Sequence, residues 1–524
     1  MDDLPEILEE KDADGRGARA RRNISSAVLL NLVAAIASFI RVPLLLDDLG
    51  ASRYGFWVAA LAVIQTMSMA DLGIQSALTQ VIARFRGEGR EGEVPALVAT
   101  AFWTILGFCA ALFVLIGVAI VFFWPVGDIA NAMVDESAAK TVLLVGIGCS
   151  LLLQGPRVLY SARAGYERVS SLNLLETGVV IVQLLGLVAI LSKWPHSLVA
   201  IVTWTMGTEL LWISMMAVFV TMTDSDRFSV ARSLVNRRAL QALYPEAKSF
   251  LLLTVGGALK GRFDNIIIIL VLVPSMVARY SPTLQVFLVA LTLLALVATN
   301  LWPAYAHSVA RGDWEWLNRV FRQTTLILMC AAAMGAVAAS LFGRELVLGW
   351  VGTAGFAGTH VIWILAVWFV LQVWRQNVAQ MVISEGRTDI VTRWTFIEGG
   401  LNVGLTFWLA RTHGLAGAAL ASAISAIVAG VVPLSRSAVG LSGDRLSYPW
   451  VGISKLLAVS SLCLVAGVAV RLAFNLDEMS LMTALEACLF TIAAFAILAW
   501  SFVFDEGERN LLRTGLRSLI SRDW

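Results

Sequence analysis

Charge is scarce in this chain. Only 15% of its 524 residues are Asp, Glu, Lys or Arg, against 58% hydrophobic residues, and a mean hydropathy of +0.78 excludes an ordinary soluble domain. Histidine is rarer still: His196, His307, His360 and His413 are scattered over loops and helix ends, so metal-ligand spacing is absent. The five cysteines, Cys109, Cys149, Cys330, Cys463 and Cys488, lie in apolar segments without a CxxC, which points to buried thiols. Gly146-Ile147-Gly148 is a GxG with no strand before it, so it is no nucleotide fingerprint. Neither catalytic residues, nor a metal, nor a cofactor, nor a nucleic-acid partner is expected.

What the chain has in abundance is long apolar runs. A hydrocarbon core about 30 Å thick needs roughly 20 apolar residues per helix, and such segments recur from residue 24 to residue 504. Bounded by charge, Gly or Pro, they predict fourteen spans: 24–46, 54–80, 96–123, 139–162, 172–191, 197–222, 248–273, 280–303, 320–342, 359–384, 391–410, 413–434, 451–474 and 480–504. The expected fold class is an all-α polytopic membrane protein. Residues 1–23 read as a disordered cytoplasmic tail rather than a cleaved leader.

Loop charge orients the spans. With the amino terminus inside, cytoplasmic segments hold 28 of the 39 Lys and Arg and the outer loops seven, which puts both termini on the cytoplasmic side. In 505–524, Arg509, Arg513 and Arg517 recur every fourth residue while Leu512, Leu516, Leu519 and Ile520 share another face. This is an amphipathic tail suited to anionic membrane lipids or to packing on the protein. The linker 223–247 has a similar, less regular pattern. Trp57, Trp194 and Trp350, among eighteen Trp, read as interfacial anchors.

The chain also repeats itself. "RYGFW" from Arg53 and "ARFRGEGR" are echoed by "RYSPT" from Arg279 and "ARGDWEW". "GYERVSSLNLLETG", which carries Glu176, is echoed by "EGRTDIVTRWTFIEGG", which carries Glu398, at an offset of about 222 to 227 residues. Two parallel lobes of six spans are expected, an N-lobe over 24–222 and a C-lobe over 248–434, with an axis along the membrane normal. The last two spans, 451–504, are an addition.

Against this background the charges at membrane depth stand out, since one at the bilayer centre costs at least about 2.5–3.5 kcal/mol. "GGALKGRFDNIIIIL" buries Lys260, Arg262 and Asp264 in the seventh span. Lys260 and Asp264, four apart, share a face and either neutralise each other or serve a ligand; Arg262 points elsewhere. Gln372, Arg375, Gln376 and Gln380 fall on one side of the tenth span, Asn31, Ser38 and Arg41 line up on the first, and Gln65, Ser68, Gln75 and Thr79 mark the second. Arg41 lies near the outer end, where it lines the cavity or snorkels. Asp71 and Glu209 are deep acids, candidates with Asp264 for ion or proton coupling, or for plain helix-to-helix hydrogen bonding. Several cations without a metal-ligand set favour an anionic ligand, and Arg suits phosphate. Arg262, Lys260, Arg375 and Arg41 are therefore the candidate ligands of a phosphate head group, with Asn31, Gln65, Gln372 and Gln376 lining the cavity.

"LLLDDLGASRYGFWVAALAVIQTMSMADLGIQSALTQVIARFRG", "RFDNIIIIL" followed by "ARYSPTLQVF", and "THGLAGAALASAIS" resemble corresponding regions of the bacterial polysaccharide (O-antigen type) flippases. This family lies in the multidrug/oligosaccharidyl-lipid/polysaccharide exporter superfamily. The resemblance implies two pseudo-symmetric six-helix lobes forming a V around a central cavity that opens alternately to each side of the bacterial inner membrane. It implies that the head group is a diphosphate: a polyprenyl-diphosphate-linked oligosaccharide is the substrate, flipped for surface polysaccharide (lipopolysaccharide) synthesis, with polysaccharide polymerase machinery as a partner. Lipid II flippases of the superfamily present arginines from spans one, two and eight; only Arg41 matches here. The alternatives are a multidrug or cation antiporter of the same fold, and an integral-membrane polymerase or glycosyltransferase, which the short outer loops disfavour.

Overall fold

In the computed structural model the chain is described over residues 4–122, 135–166, 169–224, 228–443, 445–473 and 479–509 and at Arg513, with side chains from Arg22 onward apart from Ile24, Asn300 and Pro303. Among the described residues every regular element is helical. In chain order they are α1 (Leu4–Thr66), α2 (Ile74–Gly87), α3 (Val94–Phe122), α4 (Glu136–Leu152), α5 (Gln154–Ala164), α6 (Ser170–Lys193), α7 (Leu198–Thr223) and α8 (Arg237–Gly261). They continue with α9 (Phe263–Val271), α10 (Pro274–Arg311), α11 (Trp314–Val351), α12 (Thr359–Ser384), α13 (Thr388–Ser425), α14 (Val432–Leu441), α15 (Trp450–Ala473) and α16 (Leu481–Leu498).

Eleven stretches of helix are long and apolar enough to cross a membrane. Two of them are too long for one crossing. The 63 residues of α1 amount to about 95 Å at 1.5 Å per residue, some three times the hydrocarbon thickness, and the helix breaks at Gly50 (φ 70°, ψ 166°). Helix α13 breaks in the same way at Gly414 (φ 60°, ψ −139°). Each break divides one continuous element into two spans, and the shorter α8 and α9 together supply another, which accommodates the fourteen expected spans.

The amino-terminal segment differs from the expected disordered tail, since helical backbone begins at Leu4. Its Glu, Lys, Ala and Arg are good helix formers, and extending a helix already nucleated by a membrane span needs no new nucleus. The amphipathic carboxyl-terminal face lies outside the described residues except at Arg509 and Arg513. The linker also differs: Asn236 caps α8 by accepting from the Ala239 N–H at 2.7 Å, and the helix runs from Arg237 through Pro245 to Gly261 without interruption.

Contacts divide the chain into two compact units, Met1–Ala278 and Arg279–Trp524. In the first, α1 packs on α6, α4 on α7, and α2 on both α5 and α8. The seventh span, expected with the second lobe, therefore packs with the first unit. The sequence "DLG" shows why. Helix α1 runs into a short 3-10 turn, Met67–Asp71, after which Leu72 and Gly73 both take left-handed φ (55° and 74°) before α2 begins. The Asp71 Oδ1 accepts from the Gly73 N–H at 2.9 Å, satisfying a donor that the broken helix would otherwise strand. A Cβ on Gly73 would stand 2.4 Å from the Ala247 carbonyl oxygen, so only glycine lets α8 approach this closely.

In the second unit α11 packs on α12, α12 on α13, and α15 and α16 both on α11. The buried Arg471–Glu345 pair, at 2.7 Å, joins α15 to α11; Arg471 also donates to the Leu341 carbonyl. Between α13 and α14 the helix widens into a π-turn over Ala426–Val431.

Candidate functional site: charges at membrane depth

The cluster Lys260, Arg262, Asp264 does not sit on one straight helix. Arg262 is the junction between α8 and α9, with φ −105°, so its side chain leaves the helix where the backbone turns. It donates to the Gln65 carbonyl and to Ser68 Oγ at 3.0 Å. The arginine of the seventh span is thus seated on the polar stripe of the second, and both lie in the first unit. Asp264 is 4% exposed and opens α9; Lys260 is half-buried at the end of α8.

Sequence reasoning missed a second cation in the same unit. Arg157 was counted with the cytoplasmic loop charges, yet it lies within α5, seven residues or about 10 Å from the helix end. Its Nη2 is 2.6 Å from Glu209 Oε1, which answers what the deep acid of the sixth span is for. The signal was there: "QGPR" puts Pro156 at the start of α5, where the fourth span breaks after Leu153, and a carboxylate in mid-membrane asks for a partner. Arg157 also lies within electrostatic reach of Arg262, Asp71 and Glu176, and Glu209 within reach of Arg41 and Glu176. Three cations and three acids of the first unit, Arg41, Arg157, Arg262, Asp71, Glu176 and Glu209, therefore form one charge-balanced group.

A pocket of 390 Å³ opens beside Arg157, with walls from α2, α5, α6 and α7 that include Gln75, Thr79, Tyr160, Glu176 and Trp212. Gln75 is held by the Gln154 side chain (3.0 Å) and Thr79 donates to the Ser161 carbonyl (2.9 Å). Tyr160 donates to Asn173 Oδ1 (3.0 Å), which in turn contacts Ser26 on α1. The polar face of the second span, read from sequence as cavity lining, is thus built into a wall by helices four and five.

Arg375 is in a different setting. It is 6% exposed, its Nε lies 2.6 Å from Glu398 Oε2, and its Nη2 donates to Thr395 Oγ1 at 2.6 Å. Gln372 donates to the other Glu398 oxygen at 3.3 Å. Gly430 of the π-turn lies over the pair: a Cβ there would meet Arg375 Cδ at 3.0 Å and Glu398 Oε2 at 3.1 Å. The charge expected to serve a ligand is matched by an acid inside the second unit, an acid that the tenth-span stripe alone did not reveal. Gln376 is half-buried beside it. On α1, Asn31 donates to the Ala27 carbonyl at 2.8 Å. Among the described residues no group of His, Cys, Asp and Glu is arranged to hold a metal ion.

A helical chain with this many crossings, folded into two units that each hold an Arg–Glu pair between their spans, is a polytopic membrane protein. Its fold is similar to those of solved flippase and transporter structures. It superposes on the lipid II flippase MurJ in an inward closed conformation with a TM-score of 0.69 and 13% identity, covering 90% of this chain and 97% of that one. It superposes on an inward-facing multidrug resistance MATE family transporter with a TM-score of 0.62 and 14% identity, covering 80% and 96%. In sequence it is 20% identical over 414 residues, 75% of this chain and 92% of the relative, to a Salmonella typhi protein named "Putative O-antigen transporter". No established family profile matches the chain.

Proposed function

We propose that this protein is a flippase that carries a polyprenyl-diphosphate-linked oligosaccharide across the bacterial inner membrane by alternating access, with both termini in the cytoplasm. The observation that carries the reading is the partly exposed Arg157–Glu209 pair beside an open polar pocket in the first unit, with Arg262 within electrostatic reach. An ion pair that solvent reaches is available to a further charge, and guanidinium groups match phosphate oxygens in pairs. In this reading Arg262 and Arg157 hold the diphosphate, with Lys260 and Arg41 contributing to the field, and Asp71, Glu209 and Asp264 keep the empty site neutral or carry the coupling ion. Arg375 is left out because it is sealed with Glu398 in the interior of the second unit. The named relative, an O-antigen transporter by description, and the fold of a lipid II flippase support a lipid-linked sugar as cargo.

The test is a double substitution, Arg157→Ala with Arg262→Ala, in the native host. Surface polysaccharide is expected to fall at least tenfold at unchanged protein level, with lipid-linked precursor accumulating on the inner leaflet. Normal polymer in that strain would remove the proposed site. A second reading, export of lipophilic cations, is favoured by one feature, the acidic Glu176 beside Trp212; raised drug sensitivity in a deletion strain with normal surface polymer would select it.

A further inference from the structure

The pocket of the first unit has more open polar groups than its own walls use. Among the described residues the Glu176 carboxylate makes no hydrogen bond or ion pair, although the Arg157 guanidinium is within electrostatic reach. The indole N–H of Trp212 and the hydroxyl of Ser76 likewise have no hydrogen-bond partner there, and all three residues line the same 390 Å³ pocket. Glu176 lies six residues into α6, about 9 Å from the helix start, where an unpaired polar group is costly unless water or a ligand meets it. The repeat sharpens the point. Glu398, which holds the matching place in the second echo, is fully buried and engaged by Arg375 and Gln372; Glu176 is not.

We propose that this pocket is a saccharide subsite, in which Trp212 and Tyr160 cover the C–H face of a pyranose ring while Glu176, Ser76 and the Trp212 N–H bind its hydroxyls. The inference rests on the flippase reading above and names the part of the substrate that this unit selects. The volume is within the range of about 300–1,000 Å³ typical of small-molecule sites. The lining is mixed: apolar Trp212, Ile213 and Met216 stand beside polar Ser76, Tyr160 and Glu176, with Arg157 at one edge, where a diphosphate joined to the sugar would lie. Carboxylates accept strong hydrogen bonds from hydroxyls, and aromatic rings that are apolar on the face and polar at the tip suit a ligand with both kinds of surface.

The test uses the full-length protein in lipid nanodiscs and measures binding of polyprenyl diphosphate bearing glucose, galactose, N-acetylglucosamine or no sugar. At least one glycosylated carrier is expected to bind the wild type about tenfold more tightly than the bare carrier. Glu176→Gln and Trp212→Leu are each expected to abolish that preference, and Trp212→Leu, which alters no charge, to do so while leaving affinity for the bare carrier unchanged. Equal binding of all four lipids by the wild type, or a preference that survives both substitutions, overturns the subsite and leaves the flippase reading standing. Failure of the wild type to bind any of the four removes the flippase reading and the subsite together. Binding of tetraphenylphosphonium that is lost in Glu176→Gln, without any sugar preference, assigns the pocket to lipophilic cations instead.

Discussion

The two units solve one electrostatic problem in opposite ways. Each sets an arginine against a deep glutamate, Arg157 of the fourth span against Glu209 and Arg375 of the tenth against Glu398. In the second unit the Arg375 and Glu398 side chains are 7% and 0% exposed, and every neighbour, from Thr395 to the π-turn at Gly430, fits closely around them. In the first unit the Arg157 and Glu209 side chains are 33% and 29% exposed, and a pocket opens beside them. A sealed pair holds a bundle in one arrangement; an open pair is available to a third charge. The same residue types thus read as framework in one half and as a site in the other, and burial decides between them.

The largest expected effect tests the sealed pair. Arg375→Met leaves a carboxylate alone in the interior and is expected to cost about 3–5 kcal/mol of stability, measured as a fall in melting temperature and in protein level. Adding Glu398→Leu should recover most of it, because removing both charges removes the desolvation penalty as well. Recovery failing would mean that the pair has a role beyond neutralising itself. Next comes Gly73→Ala, which keeps the charges and strikes the backbone beneath them. A left-handed Cβ costs about 1–2 kcal/mol, and its 2.4 Å approach to Ala247 O forces α8 away; a melting temperature equal to wild type would contradict the packing described.

Breaking the open pair should be mild by comparison. Arg157→Ala is expected to change stability by no more than about 1 kcal/mol, as for ion pairs that solvent reaches, while abolishing transport. Loss of both together would erase the contrast between the units. The smallest effect is a pH dependence outside the spans. Burial pushes the Glu385 carboxyl, at the end of α12, up from 4.5 to about 7. The folded protein holds that proton more tightly than the unfolded chain, so stability is full below about pH 4.5 and declines as pH rises through 7. Melting curves from pH 4.5 to 8 should show this slope flattened in Glu385→Gln.

The spans were legible in the sequence because hydrocarbon thickness imposes their length, and so was the depth of Glu209, Arg262 and Arg375. Partners were not. Arg157 looked like a loop charge because nothing in a hydropathy window tells a residue near the inner end of a span from one just beyond it. Arg375 looked like a ligand because its acid, Glu398, comes 23 residues later on another helix. The "DLG" motif was recognisable as a pattern, but its meaning needed the broken helix and the neighbouring α8. The unbroken α8 escaped notice because its basic first half reads as an interfacial linker.

Glu345 is 3% exposed and its close counter-ion, Arg471, arrives on α15, in the part of the chain that follows the second six-span repeat. A chain cut back to twelve spans would therefore strip an anion of its close partner, leaving Arg344 at 3.6 Å as a neighbour. The appended pair of helices cannot be shed without leaving that carboxylate short of its close counter-ion.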